Sequence, residues 1–317
     1  MQCKLTSERS RYADMLADAY GTSLVNMQGS GKLDQEIELD IHIRENPILR
    51  ENLSDTLTVT PTMNGYRIDT DPICCRLTRL GESKARAEIE ICQPAMDSTP
   101  LGYHLWLVTN RMLLLLDALL IHTAAVNLHG NVNLFCGHKG AGKSTISVFL
   151  AKMGATILSE DHVVLRRKKN IYQVSGCTSR IRIMADTEDF LLPNQLNHDA
   201  IPIGDVPKKE FPAGQFFAAL PHKEHSPKRL FLNQVGHSFG VRPLSAKEAL
   251  LLMVDRTANM YRFDDQKDYA SFFGFLAGFV HQIDCFSLDL SPNLSELPRV
   301  LDMLNDLDGK TGDGKKR

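Results

Sequence analysis

The segment Gly137-His138-Lys139-Gly140-Ala141-Gly142-Lys143-Ser144 fits the pattern G-x-x-x-x-G-K-[ST]. It follows the apolar run Val132–Cys136 and opens a helical pattern at Lys143, the setting in which this pattern cradles phosphate. Glycines let successive backbone N–H groups turn inward around phosphate oxygens, and a helix N-terminus adds the positive end of its dipole. The spacing predicts a nucleoside triphosphate site, for ATP with Mg2+, built from Gly137, His138, Lys139, Gly140, Ala141, Gly142, Lys143, Ser144 and Thr145. In such a site Lys143 reaches the β and γ phosphates, and the Ser144 hydroxyl holds the ion.

A second group is Ser159-Glu160-Asp161, one helix, one turn and one strand beyond Lys143. If that strand runs parallel to the one ending at Cys136, both carboxylates open at the edge where the glycine loop sits. One acid then holds magnesium, and the other accepts the proton of an attacking hydroxyl. The alternative is a solvated acidic pair at a strand end. His122 begins the strand pair that leads into the loop; by itself, a histidine beside an apolar run reads as a packed core residue.

These residues need elements to hold them. Thr123–Asn127 and Val132–Cys136 flank a hairpin turn, Lys143–Met153 reads as a helix stopped by Gly154, and Ala155–Ser159, Val163–Leu165 and Arg180–Ile183 read as strands. Leu105–Ile121 reads as one helix. Asp186–Gly240 reads as long loops with a strand near Arg229–Leu232. Ser245–Glu248 has capping-box spacing, Asp268–Gln282 is a Phe-rich helix, Asp284–Leu290 alternates as a strand, and Ser291-Pro292 opens a last helix. Upstream, Tyr20–Gln93 alternates apolar and polar residues, with turn signals at Gly29-Ser30-Gly31 and Asn64-Gly65, and predicts half-buried antiparallel strands. The organisation expected is a β-rich module over 1–104, an α/β nucleotide-binding domain over 105–308, and a disordered charged tail over 309–317.

Composition narrows the partners. The 317 residues are 43% apolar and 23% charged, with 36 Lys+Arg against 38 Asp+Glu, which argues for a soluble protein with no nucleic acid and no membrane as partner. The seven cysteines fit no zinc spacing and read as reduced thiols; with a polar N-terminus, they predict a cytoplasmic protein. The greasy run Met112–Ile121 is too short to span a bilayer and contains Asp117.

Taken together, His122-Thr-Ala-Ala-Val126, Leu134 through Thr145, and Gly154-Ala-Thr-Ile-Leu-Ser-Glu-Asp161 resemble the HPr kinase/phosphorylase superfamily. The likeness is greater to the smaller HPr kinase-like proteins found with peptide-modification systems, including kinases that phosphorylate a serine of lasso-peptide precursors. It covers about Leu105 to Leu304. The resemblance implies an α/β fold with a P-loop core related to phosphoenolpyruvate carboxykinase, and transfer of the γ-phosphate to a serine hydroxyl. It implies catalytic roles for Lys143, for His122 beside the γ-phosphate or an acidic neighbour, and for Glu160 as base. Asp161 would hold magnesium with Ser144. The superfamily assembles as hexamers, so a homo-oligomer is in keeping with it.

Two departures bear on activity. The family's acidic pair is usually Asp-Asp, and Glu160 adds one methylene. The family's second glycine-rich signature has no clear match in Val174–Ile183, so HPr itself is a poor substrate. The functions left open are a kinase acting on a hydroxyl of a peptide, a protein or a small molecule, and a nucleotide-binding regulatory or assembly subunit without transfer activity. Lys208-Lys209 and the strand arginines Arg180 and Arg182 read as solvated charges, against an alternative of phosphate contact. His222 and His225 have a possible ligand spacing, with no nearby Cys or carboxylate set in the sequence to complete a zinc site. Phe272, Phe273, Phe275 and Phe279 read as packed helix faces, and Cys136 as a small core residue.

Overall fold

The alternation near the N-terminus builds a sheet. In the computed structural model, which describes residues 2–7, 38–45, 58–70, 73–91, 99–176, 180–192, 201–203, 206–212, 224–257 and 266–313, the first strands are β1 (Gln2–Ser7), β2 (Glu38–Glu45), β3 (Thr58–Thr62), β4 (Gly65–Thr70), β5 (Ile73–Arg79) and β6 (Lys84–Ile91). They form one six-stranded sheet in the order β1-β2-β6-β5-β4-β3. Period two puts Leu39, Ile41, Ile43, Ile68, Cys75, Leu77, Ala87 and Ile89 on the buried face. Helix α1 (Thr99–Leu115) packs against β5 and β6. The Gly29-Ser30-Gly31 signal lies outside the described residues.

Two expectations are corrected here. β2 pairs parallel with both β1 and β6, while only β3 to β6 form the antiparallel meander. Alternation reports a half-buried strand in either orientation, and the long connections around β2 allow the parallel pairing. The Leu105–Ile121 run is also not one helix, because α1 ends at Leu115 and β7 (Ala118–Leu128) begins three residues later. Asp117 between them takes a left-handed φ of 56°. Its carboxylate accepts two hydrogen bonds from Arg167, both 2.8 Å, and its carbonyl accepts the Arg167 N–H. A strand buried on both faces is continuously apolar, so periodicity does not separate it from the helix before it.

Further along the chain come β8 (Asn131–Cys136), α2 (Lys143–Lys152), β9 (Thr156–Ser159), β10 (His162–Lys168), β11 (Ile171–Gly176), β12 (Arg180–Met184), α3 (Ala185–Leu191), β13 (Ile201–Ile203), β14 (Val206–Pro212), β15 (Pro227–Val235), β16 (Gly240–Pro243), α4 (Ala246–Thr257), α5 (Gln266–Val280), β17 (Asp284–Leu290) and α6 (Pro298–Asp313). Helix α3 and strands β13 and β14 stand where the sequence reads as loops. α6 runs to Asp313, into the segment expected to be a disordered tail.

Contacts gather the chain into two compact units: Met1–Ile121 with His162–Thr178 and Thr257–Phe279, and His122–Asp161 with Ser179–Arg256 and Val280–Arg317. Neither is continuous in sequence. In the first unit β10 and β11 pair antiparallel, and Tyr172 of β11 donates its hydroxyl to the Phe275 carbonyl of α5 at 2.9 Å. Phe272, Phe275 and Phe279 are buried as the sequence implies, whereas Phe273 is exposed and stacks on Tyr269.

The second unit holds the mixed sheet that matters here. β8 lies between β7, antiparallel to it, and β15, parallel to it; β17 is parallel to β15, and β16 closes that side antiparallel to β17. β9 pairs antiparallel with the other side of β7, so it runs in the same direction as β8. The β7–β8 turn uses His129 and Gly130 at φ 52° and 84°, the left-handed pair that a two-residue hairpin needs. Phe135, Phe231 and Phe286 stack across β8, β15 and β17 with centroids 5.2 and 5.3 Å apart. α2 and α6 supply Ile146, Phe149, Leu150, Val300 and Leu304 to the same core. β12, β14 and β13 make a separate three-stranded sheet.

Candidate active site

The direction of the strands brings the candidate residues to one edge. β8 ends at Cys136 and β9 at Ser159, both at the C-terminal edge, and His122 lies midway along β7, one residue before Thr123, which pairs with Cys136. The chain leaving β8 turns through Gly137, where a Cβ would sit 2.5 Å from the Asn233 carbonyl oxygen and 2.7 Å from Ala141 Cβ, so only glycine fits. Gly140 and Gly142 take φ of 84° and 80°, which L side chains adopt only with strain. Ala141 N–H donates to the His138 carbonyl at 3.1 Å, and the Asn233 amide donates to the Ala141 carbonyl. Helix α2 starts from Gly142 with no side-chain cap.

Lys143, 6% exposed, lies back along this loop, its ammonium donating to the Gly137 and His138 carbonyls at 2.8 and 3.2 Å. Burial pulls it below the usual lysine range, against the pull of Asp161 and Glu160. Ser144 donates its hydroxyl to Glu160, which is 3% exposed. Burial and the neighbouring Asp161 push Glu160 up to about 7, against the Ser144 hydrogen bond and the charges of Lys208 and Arg182. Asp161 Oδ1 lies 2.7 Å from His122 Nε2, and both side chains are about one-third exposed, at 34% and 29%. His122 is therefore paired at the edge rather than packed in the core, and Glu160 is not a solvated end of a strand.

The rest of the loop is braced from outside. His138 Nε2 lies 2.9 Å from Asp255 of α4, the next residue Arg256 donates to the Cys136 carbonyl at 3.3 Å, and Thr145 meets Thr187 of α3 at 3.1 Å. Lys139 is exposed. Cys136 is buried, and burial pushes its thiol up, as suits a core residue. Lys209 pairs with buried Glu188 at 2.7 Å and Arg182 with Glu210 at 2.7 Å, so each strand cation is partly exposed and held by an acid. His222 lies outside the described residues.

Asn233, Asp255 and Arg256 belong to no motif of the sequence. Asn233 leaves a legible trace, a polar residue directly after the apolar run Leu230-Phe231-Leu232, and it is fully buried. Asp255 and Arg256 left none, because a charged pair near a helix end is ordinary.

No family model and no curated protein matches the chain. Among solved structures it is similar to the HPr(Ser) kinase/phosphatase from Coxiella burnetii, with 12% sequence identity over 62% of this chain and 99% of that chain, at a TM-score of 0.34. A likeness at that level decides neither fold nor activity. Among the described residues no helix is long and apolar enough to cross a membrane.

Proposed function

We propose that this protein is an ATP- and magnesium-dependent kinase that transfers the γ-phosphate to a hydroxyl group, most simply a serine of a peptide or protein. The observation carrying this reading is the convergence at one sheet edge of the Gly137–Ser144 loop, the Glu160-Asp161 pair and His122. A nucleotide-binding loop alone serves many chemistries. A buried acid on the loop serine, beside a second acid held by a histidine, adds the proton-handling groups that transfer to a hydroxyl requires.

The backbone N–H groups of the loop and of the first turn of α2 would bind the phosphates, with Lys143 swinging from its carbonyl contacts to the β and γ oxygens. Ser144 and the acidic pair offer the hard oxygen donors that magnesium takes. When bound, that ion would supply positive charge to the phosphate oxygens. Lys208 extends this electrostatic setting, since its positive charge acts on both Glu160 and Lys143. The resemblance in sequence to HPr kinase-like proteins supports a peptide serine as acceptor and assembly of several copies, and the cysteine usage supports a cytoplasmic setting.

The test is incubation of the full chain with γ-labelled ATP, magnesium and cell extract, beside Lys143→Ala. Label should appear on an acceptor and fall at least about 100-fold in the variant, the scale expected when phosphate positioning and charge stabilisation are lost. Mg-ATP binding without any labelled acceptor would favour a regulatory nucleotide-binding subunit instead. A Lys143→Ala protein that binds ATP like wild type would refute the nucleotide site.

A further inference from the structure

We propose that the first compact unit carries a peptide-binding cleft at its hairpin tips, which receives an extended segment with an acidic side chain for Arg79 and apolar neighbours for Met63 and Leu80. This goes beyond the kinase reading above and does not depend on it.

The cleft follows from how the tips are fixed. Thr62 and Gly65 pair across the two-residue turn Met63-Asn64. Gly65 lets β4 approach β5 closely, since a Cβ there would overlap the Leu77 carbonyl oxygen. Arg79 N–H donates to the Asn64 carbonyl at 2.9 Å, and Leu80 N–H donates to the Lys84 carbonyl at 2.8 Å, closing the turn between β5 and β6. Two turns are thereby held side by side. Together with Leu115 of α1 and Ser271 of α5 they line a cleft of about 590 Å³, a volume in the range of ligand sites.

Two features of the lining define what it takes. The first is an apolar rim. Turns favour polar residues, yet Met63 is 98% exposed and Leu80 46% exposed, and Pro61 and Tyr66 continue the apolar surface inward. A molecule small enough to sit inside the cleft leaves that rim in water, whereas a chain crossing the cleft covers it. The second feature is charge. Arg79 is the one charged side chain among the described lining residues; its Nε donates to the Gly81 carbonyl at 3.0 Å, and among the described residues no carboxylate pairs with it. Another cation stands behind the wall, where the Arg111 guanidinium lies 5.5 Å from the centroid of the Tyr66 ring and Arg111 is 4% exposed. Positive charge with no acid in the lining selects an anionic side chain, and the grouping of Tyr, Met and Arg is the composition of protein-recognition surfaces.

Methionine-methyl NMR on the full chain reads the site directly, with the Met63 signal assigned through Met63→Leu. The probe is a pool of acetylated, amidated peptides with a central Leu-Glu-Leu and randomised flanks, beside the same pool carrying Gln in place of Glu. No nucleotide is added, so failure of the kinase reading leaves the result intact. The Glu pool should shift the Met63 methyl saturably, and the Gln pool should bind about tenfold more weakly, the scale of one charge-assisted hydrogen bond. Arg79→Gln should bring the two pools to equal affinity, and Arg79→Lys should keep the preference for Glu, with thermal unfolding to verify that each variant is folded. If Arg79→Gln does not fold, the comparison of the two pools on wild type decides. An unmoved Met63 signal, equal binding of both pools by wild type, or a preference that survives Arg79→Gln overturns the proposal. N-acetylglutamate binding as tightly as the Glu pool overturns it too, in favour of a small organic acid.

Discussion

The two edges of the mixed sheet in the second unit hold carboxylates treated in opposite ways. At the edge where β8 and β15 begin, Asp308 of α6 accepts hydrogen bonds from Asn131 at 3.0 Å, Lys228 at 3.0 Å and Arg229 at 2.6 Å. Arg229 is only 1% exposed. Against the cost of burial, these donors hold Asp308 below the usual carboxylate range. At the edge where β8 and β9 end, Glu160 is more deeply buried, yet its neighbours are a serine hydroxyl and a second acid, and it rises to about 7. One edge matches charge to partner and fastens a helix. The other leaves negative charge under-compensated, because burial and the second acid outweigh the Ser144 hydrogen bond and the charges of Lys208 and Arg182.

Breaking the matched edge should have the largest effect. Asp308→Ala leaves Arg229 buried without its carboxylate and should cost about 3–5 kcal/mol in urea unfolding, as removal of one partner from a buried pair does, while ATP affinity of the folded fraction stays unchanged. Gly137→Ala forces a Cβ to 2.5 Å from a backbone oxygen and should cost about 1–3 kcal/mol through overpacking, with loss of ATP binding. The two edges thus separate by which of stability or binding is hit.

Glu160→Gln should act with the opposite sign. A folded-state value of about 7 against an ordinary 4.5 means the folded protein holds this proton more tightly than the unfolded chain. The stability contributed is complete below about pH 4.5 and is lost as pH rises through about 7. Without magnesium, the variant should therefore unfold up to about 3 kcal/mol harder than wild type at pH 8, and no harder at pH 4. A variant less stable than wild type at pH 8 would contradict the under-compensated edge. For Asp308 the window is inverted, its stability present above the ordinary 3.8 and lost as pH falls below it.

The smallest effect lies at neither edge. Ser245 and Glu248 cap α4 reciprocally, with Ser245 N–H donating to Glu248 at 2.9 Å and Glu248 N–H to the Ser245 hydroxyl at 3.3 Å. Ser245→Ala should cost about 1 kcal/mol, measured by thermal unfolding, with the magnesium-dependent gain in ATP affinity intact.

What the amino-acid sequence determined by itself is local. The glycine loop, the stop at Gly154, the His129-Gly130 turn, the α4 cap and the alternating strand β17 follow from the conformational freedom of single residues and from hydrogen bonds a few positions apart, which neighbours in sequence decide. The end of α1 escaped because an apolar run has no period to mark where helix becomes buried strand, and the parallel pairing of β2 escaped because alternation carries no direction. Only the tertiary structure decided which acid meets Ser144 and which meets His122, that Asn233 braces the loop, and that Arg229 and Asp308 close the far edge. Those meetings depend on strand order and direction, and hence on long-range burial, which no spacing along the chain encodes.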